Sequence, residues 1–151
     1  MPPKQSPIYI LLADDDKDDR FFFEKALEEL VRATQLKTVS DGASLMDFLG
    51  KNTKELPEVL FLDLNMPRKN GAECLKEIKA DKHLKKIPVV IYSTSLSEEG
   101  ADKLYEDGAH YYLHKRSLGE LPQGIEQVLT LLDKNPAKPS RDGFIVGVPG
   151  K

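Results

Sequence analysis

The sequence predicts an α/β fold, a doubly wound parallel sheet with helices on both faces. Three observations carry that prediction. Short apolar runs alternate with longer amphipathic segments along most of the chain. The runs are apolar at consecutive positions, as a strand buried on both faces requires. Several of them stop abruptly at a polar residue with useful chemistry. Alternating strands and helices imply right-handed crossovers and a sheet covered on both sides.

The elements follow in order. Residues 8–13 form a compact apolar run that stops at Asp14. Phe22, Phe23, Ala26, Leu27 and Leu30 then recur at helical spacing, with Asp19, Glu24, Lys25 and Glu28 on the other side. Residues 36–39 make a weaker strand, interrupted by polar residues. Leu45, Phe48 and Leu49 give a second helical stripe, ended by Gly50. Residues 59–62 are a strand that stops at Asp63. Cys74, Leu75 and Ile78 form a third stripe, opened by Gly71. Residues 89–92 follow Pro88 and stop at Ser93. Ser97-Glu98-Glu99 reads as a helix start with acidic residues in its first turn, and that helix runs through Leu104 to end near Gly108. Residues 111–113 are a short strand followed closely by Lys115. Leu121, Ile125, Val128, Leu129 and Leu132 make the last stripe, stopped by Pro136 and Pro139.

A chain of 151 residues suffices for one domain with a real core. With 40% hydrophobic and 31% charged residues, the composition is that of a globular protein. The net charge of −3 argues against nucleic acid as the main partner, because phosphate backbones need clustered Lys and Arg. No apolar run approaches the roughly 20 residues that span a bilayer, so no membrane insertion is expected. The run at 8–13 is too short for a signal peptide. The one cysteine, Cys74, rules out an intrachain disulfide, and the expected location is cytoplasmic. Cys74 lies on a core stripe and reads as a small buried hydrophobe. The domain is placed at 1–133. Residues 134–151 carry four basic residues against one acidic, with Pro and Gly. They read as a mobile tail, or as one whose apolar patch Phe144-Ile145-Val146 docks on the domain or on a partner.

In an open parallel sheet, ligands bind outside the carboxyl ends of the strands. Here the first strand ends in Asp14-Asp15-Asp16, the third in Asp63, the fourth in Ser93-Thr94, and the fifth near Lys115. Carboxylates brought together repel unless a cation sits between them. Hard oxygen ligands suit Mg²⁺, which takes one or two carboxylates, water and phosphate oxygens. A cation so held neutralises a transferring phosphoryl group, and a carboxylate is then a competent nucleophile. A lysine and a hydroxyl suit the remaining phosphoryl oxygens. Each piece alone is ordinary. An Asp run is a turn or a helix cap, a lone Ser satisfies its own backbone, and a lone Lys is solvated. The signal is their joint placement at four strand ends. The set is complete for making an acyl phosphate and lacks a base for fast hydrolysis, so an acceptor is expected rather than a turnover enzyme.

The strings ILLADDDKDDR, VLFLDLNMPRKNG, IPVVIYSTS and GAHYYLHK resemble the receiver domain of two-component response regulators over about residues 7 to 133. The resemblance implies a flavodoxin-like, five-stranded sheet of order 2-1-3-4-5. It implies that Asp63 is the phosphoacceptor and that Asp15 ligates Mg²⁺ directly, Asp14 doing so through water. It makes the Asn65 backbone carbonyl a further ligand. Ser93 becomes the switch hydroxyl, Lys115 the active-site lysine, and Tyr112 the switch aromatic that turns inward after phosphorylation. Ser93 stands where Thr is more usual, which keeps the hydroxyl. Arg116 stands where most receivers have Pro, so a cis peptide there loses its usual support. The Lys-Arg pair, Asp18-Asp19 and the long C-terminal end look closest to stand-alone receivers serving bacteriophytochrome-type kinases.

The implied partners are a sensor histidine kinase or phosphotransfer protein and a downstream protein not named by the sequence. No DNA-binding motif follows residue 133. A homodimer through the fourth-helix face or the tail is a further state to consider. Phe21 cannot face inward together with Phe22 and Phe23, and partner contact is one use for it. The three histidines lack ligand spacing for zinc. Lys82, Lys85 and Lys86 read as a solvated loop. Three rivals remain. A flavin mononucleotide carrier is disfavoured by the acidic first loop. A phosphatase using Asp14 and Asp16 lacks the following Gly-Thr. A phosphorylation-independent binding module on the same fold is the principal alternative.

Overall fold

The computed structural model describes residues 7–94, 97–115 and 118–146. Five strands appear where the apolar runs fall: β1 (Ile8–Ala13), β2 (Thr34–Val39), β3 (Val59–Leu62), β4 (Val89–Ser93) and β5 (Tyr111–His114). Five helices connect or follow them: α1 (Lys17–Glu28), α2 (Gly42–Lys51), α3 (Gly71–Ala80), α4 (Glu98–Glu106) and α5 (Leu121–Lys134). The sheet is parallel in the expected order 2-1-3-4-5. A sixth strand, β6 (Ile145–Val146), adds beyond β5, where the sequence pattern predicts none. Short runs of Ile and Val pair readily once an unpaired strand edge lies beside them.

Two layers of helices cover the sheet. Leu45 and Leu49 of α2, Cys74, Leu75 and Ile78 of α3, and Ala101 and Leu104 of α4 pack on the face that presents Leu11, Leu60 and Ile91. Phe23, Ala26 and Leu27 of α1 and Ile125, Val128 and Leu129 of α5 cover the face of Ile10, Phe61 and Val90. Phe22 is half-buried and Phe21 is exposed, as the helical pattern requires. Gly50 does not end α2, which continues to Lys51 with Asn52 as its cap. Cys74 is buried, and Lys82, Lys85 and Lys86 are exposed in an irregular segment.

The caps position the functional loops. Asp16 accepts the Asp19 N–H at 3.0 Å and starts α1; Asn70 and Glu73 form a reciprocal capping box at α3; Ser97 caps α4. Gly108, with φ of 112°, closes α4 in a conformation that disfavours other residues. No helix among the described residues is long and apolar enough to cross a membrane.

Candidate functional site

The parallel ladder extends one residue past the strands, and this fixes the backbone of the candidate residues. Asp14 N–H donates to Val39 O at 3.1 Å, Asp63 N–H to Ala13 O at 2.9 Å, and Lys115 N–H to Ser93 O at 2.8 Å. The carboxyl ends of β1, β3, β4 and β5 therefore sit side by side, and the side chains of Asp14, Asp63 and Lys115 converge at that edge of the sheet.

The Asp14-Asp15-Asp16 run splits into three roles. Asp14 is fully buried, and its Oδ1 accepts the Asp16 N–H at 3.0 Å. Asp15 is exposed at the rim. Asp16 is used as the α1 cap, which takes away the acid that the phosphatase reading needs. Carboxylate oxygens of Asp14, Asp15 and Asp63 lie within 4.8 Å of one another. This all-oxygen donor set fits a hard divalent cation. Asn65, expected to add its carbonyl, follows Asp63 by two residues, and its N–H lies 3.4 Å from Asp63 Oδ1.

Lys115 reaches into the cluster. Its Nζ lies 2.9 Å from Asp14 Oδ2 and 3.6 Å from Asp63 Oδ2. The same ammonium donates to Asp19 Oδ2 at 2.8 Å. Periodicity alone puts Asp19 on the polar side of α1 and gives it no role. The cap at Asp16 turns the first turn of α1 so that Asp19 faces the site. Arg20, to which the sequence pattern also gives no role, donates from Nη1 to Asp14 O at 2.7 Å and clamps the loop.

The electrostatics follow from burial. Asp63 is 5% exposed, and desolvation pushes its carboxyl up to about 6; Lys115 opposes that shift while Asp14 adds to it. Burial likewise raises Asp14, against the Asp16 N–H and Lys115. Burial disfavours charge on Lys115, but the carboxylates of Asp19 and Asp14 outweigh it and hold the ammonium firmly protonated. A cation between the carboxylates would relieve their repulsion and keep Asp63 ionised.

Ser93 is fully buried at the end of β4. Register pairs Ile91 with Tyr112, so Ser93 and Tyr112 share one face of the sheet. Tyr112 is 1% exposed, and burial raises its phenol, with the Ser93 hydroxyl opposing. Its ring meets Phe144 edge to face at a centroid distance of 6.3 Å. The tail residue Phe144 therefore covers the residue expected to act as a switch. Arg116, whose presence in place of Pro bears on the loop after β5, lies outside the described residues.

Comparison with known proteins bears on the family and the fold. The response regulator receiver domain model matches residues 10–126. Response regulator Rcp1 of Synechocystis sp. is 36% identical over 128 residues, covering 80% of this chain and 87% of Rcp1. The crystal structure of the phosphorylated cyanobacterial phytochrome response regulator RcpA superposes with a TM-score of 0.75 at 33% identity, over 87% of this chain and 97% of RcpA. The Mn²⁺-bound form of Rcp1 gives 0.75 at 32% identity, over 89% of this chain and all (100%) of that one.

Proposed function

The chain belongs to the family of response regulator receiver domains, and from that membership we propose that Asp63 accepts a phosphoryl group from a sensor histidine kinase or phosphotransfer protein. The observation that carries this reading is the placement of Asp63. It is a buried carboxylate at the end of β3, flanked by Asp14, Asp15 and a lysine.

A carboxylate oxygen of Asp63 attacks phosphorus. The bond from phosphorus to the donor imidazole nitrogen breaks, and its electron pair returns to the ring, leaving an aspartyl phosphate. Asp14, Asp15, Asp63 and the Asn65 carbonyl would hold Mg²⁺, and an ion so held would supply positive charge to the phosphoryl oxygens. That Rcp1 is known in an Mn²⁺-bound form supports a divalent ion here. Lys115 pairs with one phosphoryl oxygen. Ser93 donates its hydroxyl to another, and in moving draws Tyr112 with it. The faces of α4, β5 and α5 then change, which is a two-state element biased by local charge.

The test is intact mass after incubation with acetyl phosphate and Mg²⁺, beside an Asp63→Asn control. One added phosphoryl group, dependent on Mg²⁺ and absent in the control, is expected. Labelling of the control would overturn the assignment of Asp63. No labelling of either protein would favour a binding module that works without phosphorylation.

A further inference from the structure

After α5 the chain passes α4, where Tyr105 donates its hydroxyl to Pro139 O at 2.6 Å, and reaches β5. A 3-10 turn at Arg141–Gly143 then delivers Phe144. Gly143 N–H donates to Ser140 O at 3.0 Å and Phe144 N–H to Arg141 O at 3.2 Å, which turns the chain inward. Phe144 is fully buried, its ring centroid 5.4 Å from that of Tyr105 and 6.3 Å from that of Tyr112. Its carbonyl accepts the Tyr112 N–H at 2.9 Å. One residue of the tail therefore holds Tyr112 by both backbone and ring.

That hold matters because the phenol is poorly satisfied where it lies. Tyr112 is 1% exposed, and its hydroxyl oxygen is buried with no hydrogen-bond partner among the described residues. A buried hydroxyl without a partner is favoured to leave for water. Kept inside, the phenol faces Ser93. Both residues lie on one face of the sheet, and the Ser93 hydroxyl lowers the phenol's pKa against the burial that raises it. Ser93 itself is fully buried at the end of β4, where its carbonyl accepts the Lys115 N–H at 2.8 Å.

We propose that Phe144 is a positioning residue for phosphoryl transfer, holding Tyr112 inward so that the Ser93 hydroxyl is set to meet the phosphoryl group on Asp63. The inference rests on the phosphoacceptor reading and deepens it. Phe144 touches none of the reacting atoms. Its ring fills the space into which Tyr112 would otherwise swing, so the inward position is occupied before any phosphoryl group arrives. Linkage is reciprocal, and phosphorylation in turn tightens the hold on the tail. Arg141 supports the arrangement from the rim. Its guanidinium carbon lies 5.6 Å from the Phe144 ring centroid, and it donates to Asp102 at 2.7 Å and to Glu98 at 3.2 Å, both on α4.

The experiment follows the intact mass of the full chain over time with acetyl phosphate at saturating Mg²⁺. Phe144→Ala is expected to label roughly three- to tenfold more slowly than wild type. Phe144→Leu, which refills most of the space, should recover most of the rate. Arg141→Glu sets an acid against Asp102 and Glu98 and is expected to slow labelling as well; it decides the matter should Phe144→Ala fail to fold. A second background separates positioning from general loosening. In Ser93→Ala protein the hydroxyl to be positioned is gone, and either tail change is expected to cost less than about twofold there. Equal slowing in the two backgrounds overturns the proposal. So does a wild-type rate in a folded Phe144→Ala variant, which leaves the phosphoacceptor reading standing. Wild-type protein that takes up no phosphoryl group overturns both.

Discussion

Lys115 and Asp19 stand 96 positions apart in sequence, yet Lys115 Nζ donates to Asp19 Oδ2 at 2.8 Å. The bond holds the ammonium toward α1, so that it stays 3.6 Å from the carboxylate proposed to attack phosphorus. Without Asp19 the ammonium would close on Asp63, and a tight ion pair would mask the nucleophile.

Asp19→Asn is therefore expected to slow labelling of Asp63 by acetyl phosphate roughly three- to tenfold, or about 0.7–1.4 kcal/mol in activation free energy. Asp19→Glu keeps the charge and should recover part of the rate. The time course of intact mass at saturating Mg²⁺ measures both. A rate for Asp19→Asn equal to or above wild type would show that Asp19 does not hold Lys115 back.

His110 makes the fold sensitive to acid. Burial lowers its imidazole to about 4, the charges of Lys79 and Lys138 add to that, and the carbonyls of Pro136 and Gly108 oppose it. Because the folded value lies below the unfolded one of about 6.5, the neutral ring's contribution is complete above pH 6.5. It is lost as pH falls toward 4, since only the unfolded chain then gains the proton. The expected loss is about 2–3 kcal/mol. Urea midpoints at pH 7 and pH 4.5 should fall further for wild type than for His110→Gln. Equal falls would place the acid sensitivity elsewhere.

Gly71 starts α3 hard against the backbone that carries Asp63. A Cβ there would lie 2.3 Å from Asp63 O and 2.9 Å from Leu64 Cα, neither of which can move as a flexible side chain would. Gly71→Ala is expected to cost about 2–3 kcal/mol and to lower the melting temperature by roughly 5–10 °C. Displacement of Asp63 should also reduce labelling. A variant that melts and labels like wild type would contradict the contact.

The strands and helices, the parallel character of the sheet and the gathering of Asp14, Asp63 and Lys115 at one edge are legible in the sequence pattern, whereas the strand order came with the family resemblance. Hydrophobic period is a local property, and a strand-end residue has only one edge of the sheet to occupy. The Asp-Asp-Asp run is legible as a group but not as three roles. Which carboxylate is buried, exposed or capping depends on where α1 begins relative to the ladder.

The sequence by itself thus determined the class of fold and the chemistry gathered at its edge. Only the tertiary structure decided that Asp19 bonds Lys115, because that bond needs α1 and β5 brought together and rotated into register. It alone decided that Phe144 docks. An apolar triplet in a Pro- and Gly-rich end carries no period of its own, and its burial depends on a groove that exists only after α4 and β5 have packed. Local patterns state what a segment will bury, whereas the partner it buries against is a property of the assembled fold.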